Sequence, residues 1–325
     1  MAKTMRAGGG FAAVRYTLER ARQAGGVTRL TRRMQTHNAC KTCAVGMGGQ
    51  SGGMRNEAGS FPEVCKKSIQ AQAADMQPPI PEHFFAEHTV AELECWSARR
   101  IEAAGRLGFP IMWRVGETHF RRIAWPAAER VAADALRSAA PARTFFYSSG
   151  RSSNEAAFLL QCFARVFGTN NVNNCSYYCH QASSVALQHA IGSGTATVVL
   201  DDLEGADLAV VIGANPASNH PRLITQLINL RRRGGRVIII NPLKEIGLVR
   251  FRVPSDWRSM LFGSEVSDLY LQPHVGADIA LLKVLLKGIV EGDALDRDFL
   301  AAHVEGWEAV EADARSASRE QLLRA

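Results

Sequence analysis

The sequence predicts an α/β protein built around a doubly wound, mostly parallel sheet. Three consecutive stretches carry that prediction. Ala206 to Gly213 (ADLAVVIG) is a short apolar run, the pattern of a buried parallel strand. Residues 220–235 (HPRLITQLINLRRRGG) follow, with Leu223, Leu227 and Leu230 at helical spacing and Gly234-Gly235 as the stop. Residues 236–242 (RVIIINP) form a second apolar run, which closes a strand–helix–strand unit.

The remaining elements fall into place in chain order. Residues 1–35 read as an extension, Gly-rich at Gly8 to Gly10, with an amphipathic helix near Val14 to Ala24 and no evident function. The segment from Gln70 to Thr89 contains Pro78, Pro79 and Pro81 and no clear period, so it reads as extended surface chain. Trp125-Pro126 opens a helix (AWPAAERVAADALRSA), because proline is tolerated where the first-turn N–H groups have no intrahelical acceptor. Thr144 to Tyr147 is a short β-type run. Residues 148–168 (SSGRSSNEAAFLLQCFARVFG) are a turn feeding an apolar helix. Residues 278–292 (DIALLKVLLKGIVEG) form another strong helix. No internal repeat is present.

Composition bounds the class. A chain of 325 residues can bury a sizeable core, and 46% hydrophobic with 21% charged residues is ordinary for a globular protein. No apolar run reaches the roughly 18 residues of a membrane span. The basic N-terminus lacks an apolar core long enough for a secretory signal and has no Arg-Arg export motif, so the expected compartment is cytoplasmic. Seven cysteines in such a chain point to metal or catalysis more than to disulfides. The net charge of +7 is spread over small clusters such as Lys66-Lys67, Arg121-Arg122 and Arg231-Arg232-Arg233. None is interleaved with aromatics, so nucleic acid is not the expected partner, nor is a membrane. An anionic ligand carrying nucleotide phosphates would use part of this charge.

Two stretches hold the chemistry. The first is the Gly-rich loop THNACKTCAVGMGGQSGG, with Cys40 and Cys43 in a CxxC. Two thiolates at this spacing can grip one metal or part of an iron–sulfur cluster, and glycine N–H groups can reach cluster sulfurs. A zinc site or a redox pair uses the same spacing. Cys65 follows after twenty-one intervening residues, beside Lys66 and Lys67. The second stretch is GTNNVNNCSYYCHQASSVALQHAIGSG, residues 168–194, which places Cys179 beside His180. Asn170, Asn171, Asn173 and Asn174 argue against regular structure before the pair, and Ser183 or Ser184 is the expected N-cap of the helix that follows. A helix N-terminus favours a nearby anion, which suits a thiolate acting as metal ligand or nucleophile. The same spacing also fits a half-buried cysteine beside a packed histidine. Cys162 and Cys175 are assigned to packing, as is His189.

This second stretch closely resembles the active-site segment of the formate-dehydrogenase-like molybdopterin oxidoreductases, and the FdhF/YdeP-type branch in particular. The resemblance runs from about Thr36 to about Ala309. It implies that Cys179 ligates molybdenum and that His180 is its neighbour. It also implies a Mo-bis(molybdopterin guanine dinucleotide) cofactor and a [4Fe–4S] cluster in a small N-terminal iron–sulfur-type segment. Cys40, Cys43 and Cys65 match three cluster cysteines. Cys65 matches the last of the four; the third should fall near Met47, where there is no cysteine, and Cys95 lies too far along. Lys67 matches the lysine that this family places between cluster and pterin.

Several further positions follow from the resemblance. The loop Gly213, Ala214, Asn215, Pro216, Ala217, Ser218, Asn219, His220 lies at a strand's carboxyl end, where open α/β sheets bind ligands, and resembles a guanine-nucleotide contact. It lacks GxGxxG, and a plain Asn-Pro turn explains it equally well. Asn241, before Pro242, stands where the family usually has an acidic residue. Gly276 and Asp278 resemble the contact to the other nucleotide arm, and Asp278 could instead be only a helix N-cap. Arg151, in the turn Ser149 to Glu155, is a candidate contact for phosphate or pterin, where a capped helix start is the plainer explanation. The expected division is an extension over 1–35, an iron–sulfur and pterin-proximal domain over 36–120, and an α/β dinucleotide-binding domain over 121–325.

The resemblance therefore implies two-electron oxidation of a small substrate such as formate, with electrons leaving through the cluster. Members of that family are considerably longer, and an arginine of their substrate pocket has no counterpart in this sequence. The expectation is an N-terminal half, completed by a C-terminal half or an electron-acceptor subunit. A non-catalytic iron–sulfur electron-transfer or interaction subunit, or an inactive fragment, is the alternative.

Overall fold

The computed structural model describes residues 7–36, 53–150, 152–195 and 197–324. In chain order the elements used below are β1 (Gly8–Gly9), α1 (Gly10–Gln23), α2 (Val27–Met34), α3 (Lys66–Asp75), α4 (Trp125–Ser138), β2 (Phe146–Ser148) and α5 (Asn154–Phe167). They continue with β3 (Val172–Asn174), α6 (Cys175–Ile191), β4 (Leu208–Ile212), α7 (Pro221–Arg232), β5 (Arg236–Ile240), β6 (Arg250–Arg252), β7 (Ser264–Glu265), β8 (Leu269–Leu271) and α8 (Asp278–Glu291). The class is mixed α/β, with helices around small, largely parallel sheets.

The chain forms two compact units, one made of residues 1–75 with 199–325, the other of residues 76–198. In the first unit, β8, β5 and β4 make a three-stranded parallel sheet with β5 at its centre. Leu208 pairs with Arg236 and Ile212 with Ile240 along β4 and β5, while Leu269 pairs with Ile238 on the other side. Helix α7 lays Ile224, Leu227, Ile228 and Leu230 on this sheet against Val237 and Ile239, all at most 2% exposed. Leu227 and Leu230 were legible from their spacing, and Leu223 is only partly buried. Burial of side chains this large is worth about 1.5–3 kcal/mol each, which makes this cluster the main stabilising centre of the unit.

The end of α7 shows why two glycines follow it. Gly234 has φ +98°, the left-handed conformation that ends helices and strains other residues. A Cβ on Gly235 would lie 2.5 Å from Leu230 Cδ2 and 2.8 Å from the carbonyl oxygen of Asp207, so a side chain there would displace the core.

Strand β4 departs from its expected burial. It is parallel, but it lies at the sheet edge, and Leu208, Val210 and Ile212 are 42–54% exposed. Only Ala209 and Val211 face the α7 cluster. The parallel strands are also divided among separate sheets instead of one wound sheet. β1 pairs parallel with β6, which pairs antiparallel with β7, and in the second unit β2 pairs parallel with β3.

The N-terminal helices are packed into the first unit. Ala21, Leu30 and Met34 of α1 and α2 are buried, as are Ser68, Ile69, Gln72 and Ala73 of α3. Residues 70–75, expected as extended surface chain, complete α3, and Phe84–Glu87 is a short helix with Phe85 buried. Pro126 does stand in the first turn of α4, as its sequence position implies. Among the described residues no helix is long and apolar enough to cross a membrane.

Candidate functional site

Cys179 and His180 lie inside a helix, and α6 begins earlier than the sequence suggests. Asn173 and Asn174 belong to β3, paired with Tyr147 and Ser148. Asn174 is also the N-cap, its Oδ1 accepting the Tyr177 N–H at 3.2 Å. Ser183 and Ser184 are therefore interior residues of α6, and the Ser184 hydroxyl donates to the Gly194 carbonyl at 2.8 Å. The reason is that Asn174 can satisfy a first-turn N–H two turns before either serine. Cys175 takes the first helical position and Cys179 stands one turn farther in, with His180 beside it.

Both Cys179 and His180 are exposed. No side chain of α6 is buried. Tyr178 is also open, and its ring lies 6.2 Å from that of Tyr147 on β2. Cys175 is half-buried against the turn after β2, where a Cβ on Gly150 would come 2.5 Å from its Sγ. This contact joins the start of α6 to the turn that carries Arg151. Arg151 itself lies outside the described residues. The helix after that turn starts at Asn154, capped by the Ser153 hydroxyl, which accepts the Ala156 N–H at 3.2 Å.

The first unit gathers the other candidate residues at the carboxyl end of its parallel sheet. Gly213, Asn241 and the Gln272 segment follow β4, β5 and β8 directly. Backbone bonds align the three exits, since the Gly213 N–H donates to the Ile240 carbonyl at 2.8 Å and the Asn241 N–H to the Leu271 carbonyl at 3.0 Å. Asn241 is 9% exposed, with its Nδ2 donating to the Ala214 carbonyl at 3.4 Å and its Oδ1 accepting the Leu243 N–H at 3.1 Å. The side chain thus ties two of the loops together. Asn215 caps the short helix Pro216–Asn219 through the Ser218 N–H at 3.3 Å, and buried Pro216 opens it. Asn219 Oδ1 and His220 Nδ1 lie 2.8 Å apart. Gly276 turns the chain with φ +94°. Asp278 is not the N-cap of α8; Ala277 holds that position, and Asp278 stands exposed in the first turn.

Two supports of this loop edge were not anticipated. The Tyr270 hydroxyl donates to the Leu243 carbonyl at 2.6 Å and accepts the Glu245 N–H at 3.1 Å, and burial raises its pKa. Gln272 Nε2 donates to the Pro242 carbonyl at 3.1 Å. A tyrosine within the apolar β8 run was the available signal.

Cys65 is buried at 5% exposure, and its carbonyl accepts the Ile69 N–H at the start of α3. Lys67 is half-buried on the first turn of that helix. Cys40 and Cys43 lie outside the described residues. Among the described residues no three His, Cys, Asp or Glu side chains converge on a metal-sized site. The Arg231-Arg232 cluster is engaged in ion pairs: Arg231 forks onto Asp268 at 2.9 and 3.0 Å, and Arg232 pairs with Asp256 at 2.6 Å.

Comparison with known proteins identifies the family. The model of the molybdopterin oxidoreductase family matches residues 106–284, more than half of the chain. Protein YdeP of Escherichia coli K12 is 37% identical over 278 residues, covering 81% of this chain and 36% of that protein. An uncharacterised oxidoreductase of Mycobacterium tuberculosis is 35% identical over 322 residues, covering 95% of this chain and 40% of its own length. The F420-dependent formate dehydrogenase alpha subunit of Methanocaldococcus jannaschii is 30% identical over 209 residues, 64% of this chain and 28% of that protein. Acetylene hydratase from Pelobacter acetylenicus shares the fold with a TM-score of 0.52 at 16% identity, over 80% of this chain and 31% of that one. The chain thus spans well under half the length of these relatives. It belongs to the molybdopterin oxidoreductase family.

Proposed function

We propose that the chain is the N-terminal part of a molybdenum-dependent, formate-dehydrogenase-like oxidoreductase using a bis-molybdopterin guanine dinucleotide. The observation that carries this reading is the exposed Cys179-His180 pair near the start of α6, in a chain of the molybdopterin oxidoreductase family. The donor chemistry fits: a soft thiolate suits molybdenum, and its access is open. Bound there, the cofactor supplies two-electron redox chemistry. Cys179 would hold the metal, and His180, beside it, would take the proton released from the substrate. Formate is the substrate this reading favours; its oxidation to carbon dioxide releases one proton and two electrons.

The loops after β4, β5 and β8 hold the nucleotide arms in this reading. Gly213, Asn215, Pro216, Asn219 and His220 supply backbone and side-chain contacts to one arm, with Asn241 beside them. Gly276 and Asp278 serve the other, and Arg151 binds phosphate or the pterin edge. Support comes from the hydrogen bonds that align the three loops at one sheet end. Cys40, Cys43 and Cys65 would hold a [4Fe–4S] cluster, which would supply the electron exit, and Lys67 would offset its charge. The enzyme is completed by a C-terminal half that closes over the cofactor, or by an electron-acceptor subunit, in the cytoplasm.

Metal and pterin analysis of the purified chain tests the reading. Molybdenum with pterin is expected, and Cys179→Ala should lower molybdenum retention by roughly tenfold or more while leaving iron unchanged. Equal molybdenum in the variant would remove Cys179 from the ligand set. Iron without molybdenum in the parent would favour an electron-transfer subunit.

A further inference from the structure

The first unit contains a cavity of about 290 Å³, whose lining includes Cys65. Its walls are mostly apolar: Val14 and Leu18 from α1, Val64 before α3, Ile69 within it, and Phe251 and Val253 from β6 and the residues after it. Two cations line it as well, Lys66 and Arg222. The Lys66 ammonium lies 4.7 Å from the centroid of the Tyr16 ring. Arg222 pairs through Nη2 with the Glu63 carboxylate, and both side chains are largely buried, at 12% and 14% exposure. Burial raises the Glu63 pKa despite this partner, as expected of a poorly hydrated site. The Arg222 Nε–H is buried and meets no acceptor among the described residues. Glu63 offsets only one of the two cations, so the lining keeps one positive charge, that of Lys66.

An apolar chamber with a few convergent polar groups is the usual form of a small-molecule site, and this volume is at the small end of the range. A cation in an otherwise apolar lining favours an anionic head group over an apolar one. We propose that the cavity binds a small amphiphilic monocarboxylate. Its alkyl body packs against Val14, Leu18, Ile69 and Phe251, and its carboxylate pairs with Lys66. A chain on the order of eight carbons suits the volume. Formate has no apolar body to place there, so the site is separate from the proposed redox substrate.

Calorimetric titration of the 325-residue chain with hexanoate, octanoate and octan-1-ol tests this. Octanoate should bind at one site, roughly tenfold tighter than hexanoate, because each added methylene moves from water into the chamber. Octanol should bind at least about tenfold more weakly, for want of the charge-assisted hydrogen bond. Ala13→Trp, which fills the chamber from α1, should abolish octanoate binding with an unchanged melting temperature. If tryptophan unfolds the chain, Ala13→Leu should weaken binding instead. Lys66→Met removes the cation that pairs with the carboxylate and should bind the alcohol and the acid alike. The proposal is overturned by an absence of saturable binding in the parent, by equal parent affinity for octanol and octanoate, or by full octanoate binding in a folded Ala13 variant.

Discussion

At the scale of single residues, the start of α6 depends on two small contacts. Asn174 fixes where the helix begins, and Gly150 lets Cys175 pack under the turn after β2. Gly150 has no positive φ to demand glycine, so the need is purely one of space. Gly150→Ala should therefore destabilise the chain by about 1–3 kcal/mol, the usual effect of overpacking. Adding Cys175→Ala should recover most of the loss, because it removes the clashing sulfur. Urea midpoints for the two single variants and the double variant decide it, and an undisturbed midpoint in Gly150→Ala would show the contact to be slack. Asn174 itself stands in an asparagine-rich run that suggested irregular chain. The same short amide that disfavours regular structure also makes a good cap, and composition alone does not tell these roles apart.

At the scale of elements, Asp268 holds three pieces together. It accepts two N–H groups from Arg231 at the end of α7, and the Val237 N–H of β5 at 2.8 Å, just before β8 begins. The Arg231 fork, with the Val237 amide, holds its carboxyl below the usual carboxylate range. A lowered folded pKa means that the ionised form is the stabilising one. Its contribution is complete above the unfolded value near pH 4, and fades as pH falls through the lower folded value. Asp268→Asn should cost about 1–3 kcal/mol at pH 7, the range for hydrogen bonds to a charged group, and the gap between variant and parent should narrow below pH 4. Melting curves at pH 7, 5 and 3 check this; a gap that widens on acidification would contradict it. Helix α7 and strand β5 were legible because one helical stripe and one apolar run each meet a single environment. The open face of β4 was not, because an apolar run looks alike at the centre and at the edge of a sheet.

For the whole molecule, the N-terminal helices are the main departure from expectation. Residues read as an extension without evident function instead pack on α3, next to buried Cys65, and line the cavity. In the proposed enzyme, Cys65 supplies a thiolate from this packed base, together with those of Cys40 and Cys43. Cys65→Ser should then reduce iron per chain at least about twofold and bleach the visible iron–sulfur absorption, since hydroxyl is a poor ligand for such a cluster. Iron content and the absorption spectrum measure it. Zinc in place of iron in the parent would assign the CxxC to a structural site. The chain covers between about a third and two fifths of the YdeP and mycobacterial relatives, so activity belongs to the longer assembly in this proposal.

Family membership was written in the order of residues around Cys179, because that pair and its flanking segment are local in the chain. The strand–helix–strand unit was equally local, set by apolar period and by the glycines that end α7. Contacts between distant segments were not. The alignment of three loops at one sheet end, the packing of Cys175 under Gly150, the Asp268 clamp and the charged, largely apolar cavity join residues far apart in sequence. Folding decides those, because each depends on which side chains share a volume, and a linear pattern carries no record of that distance.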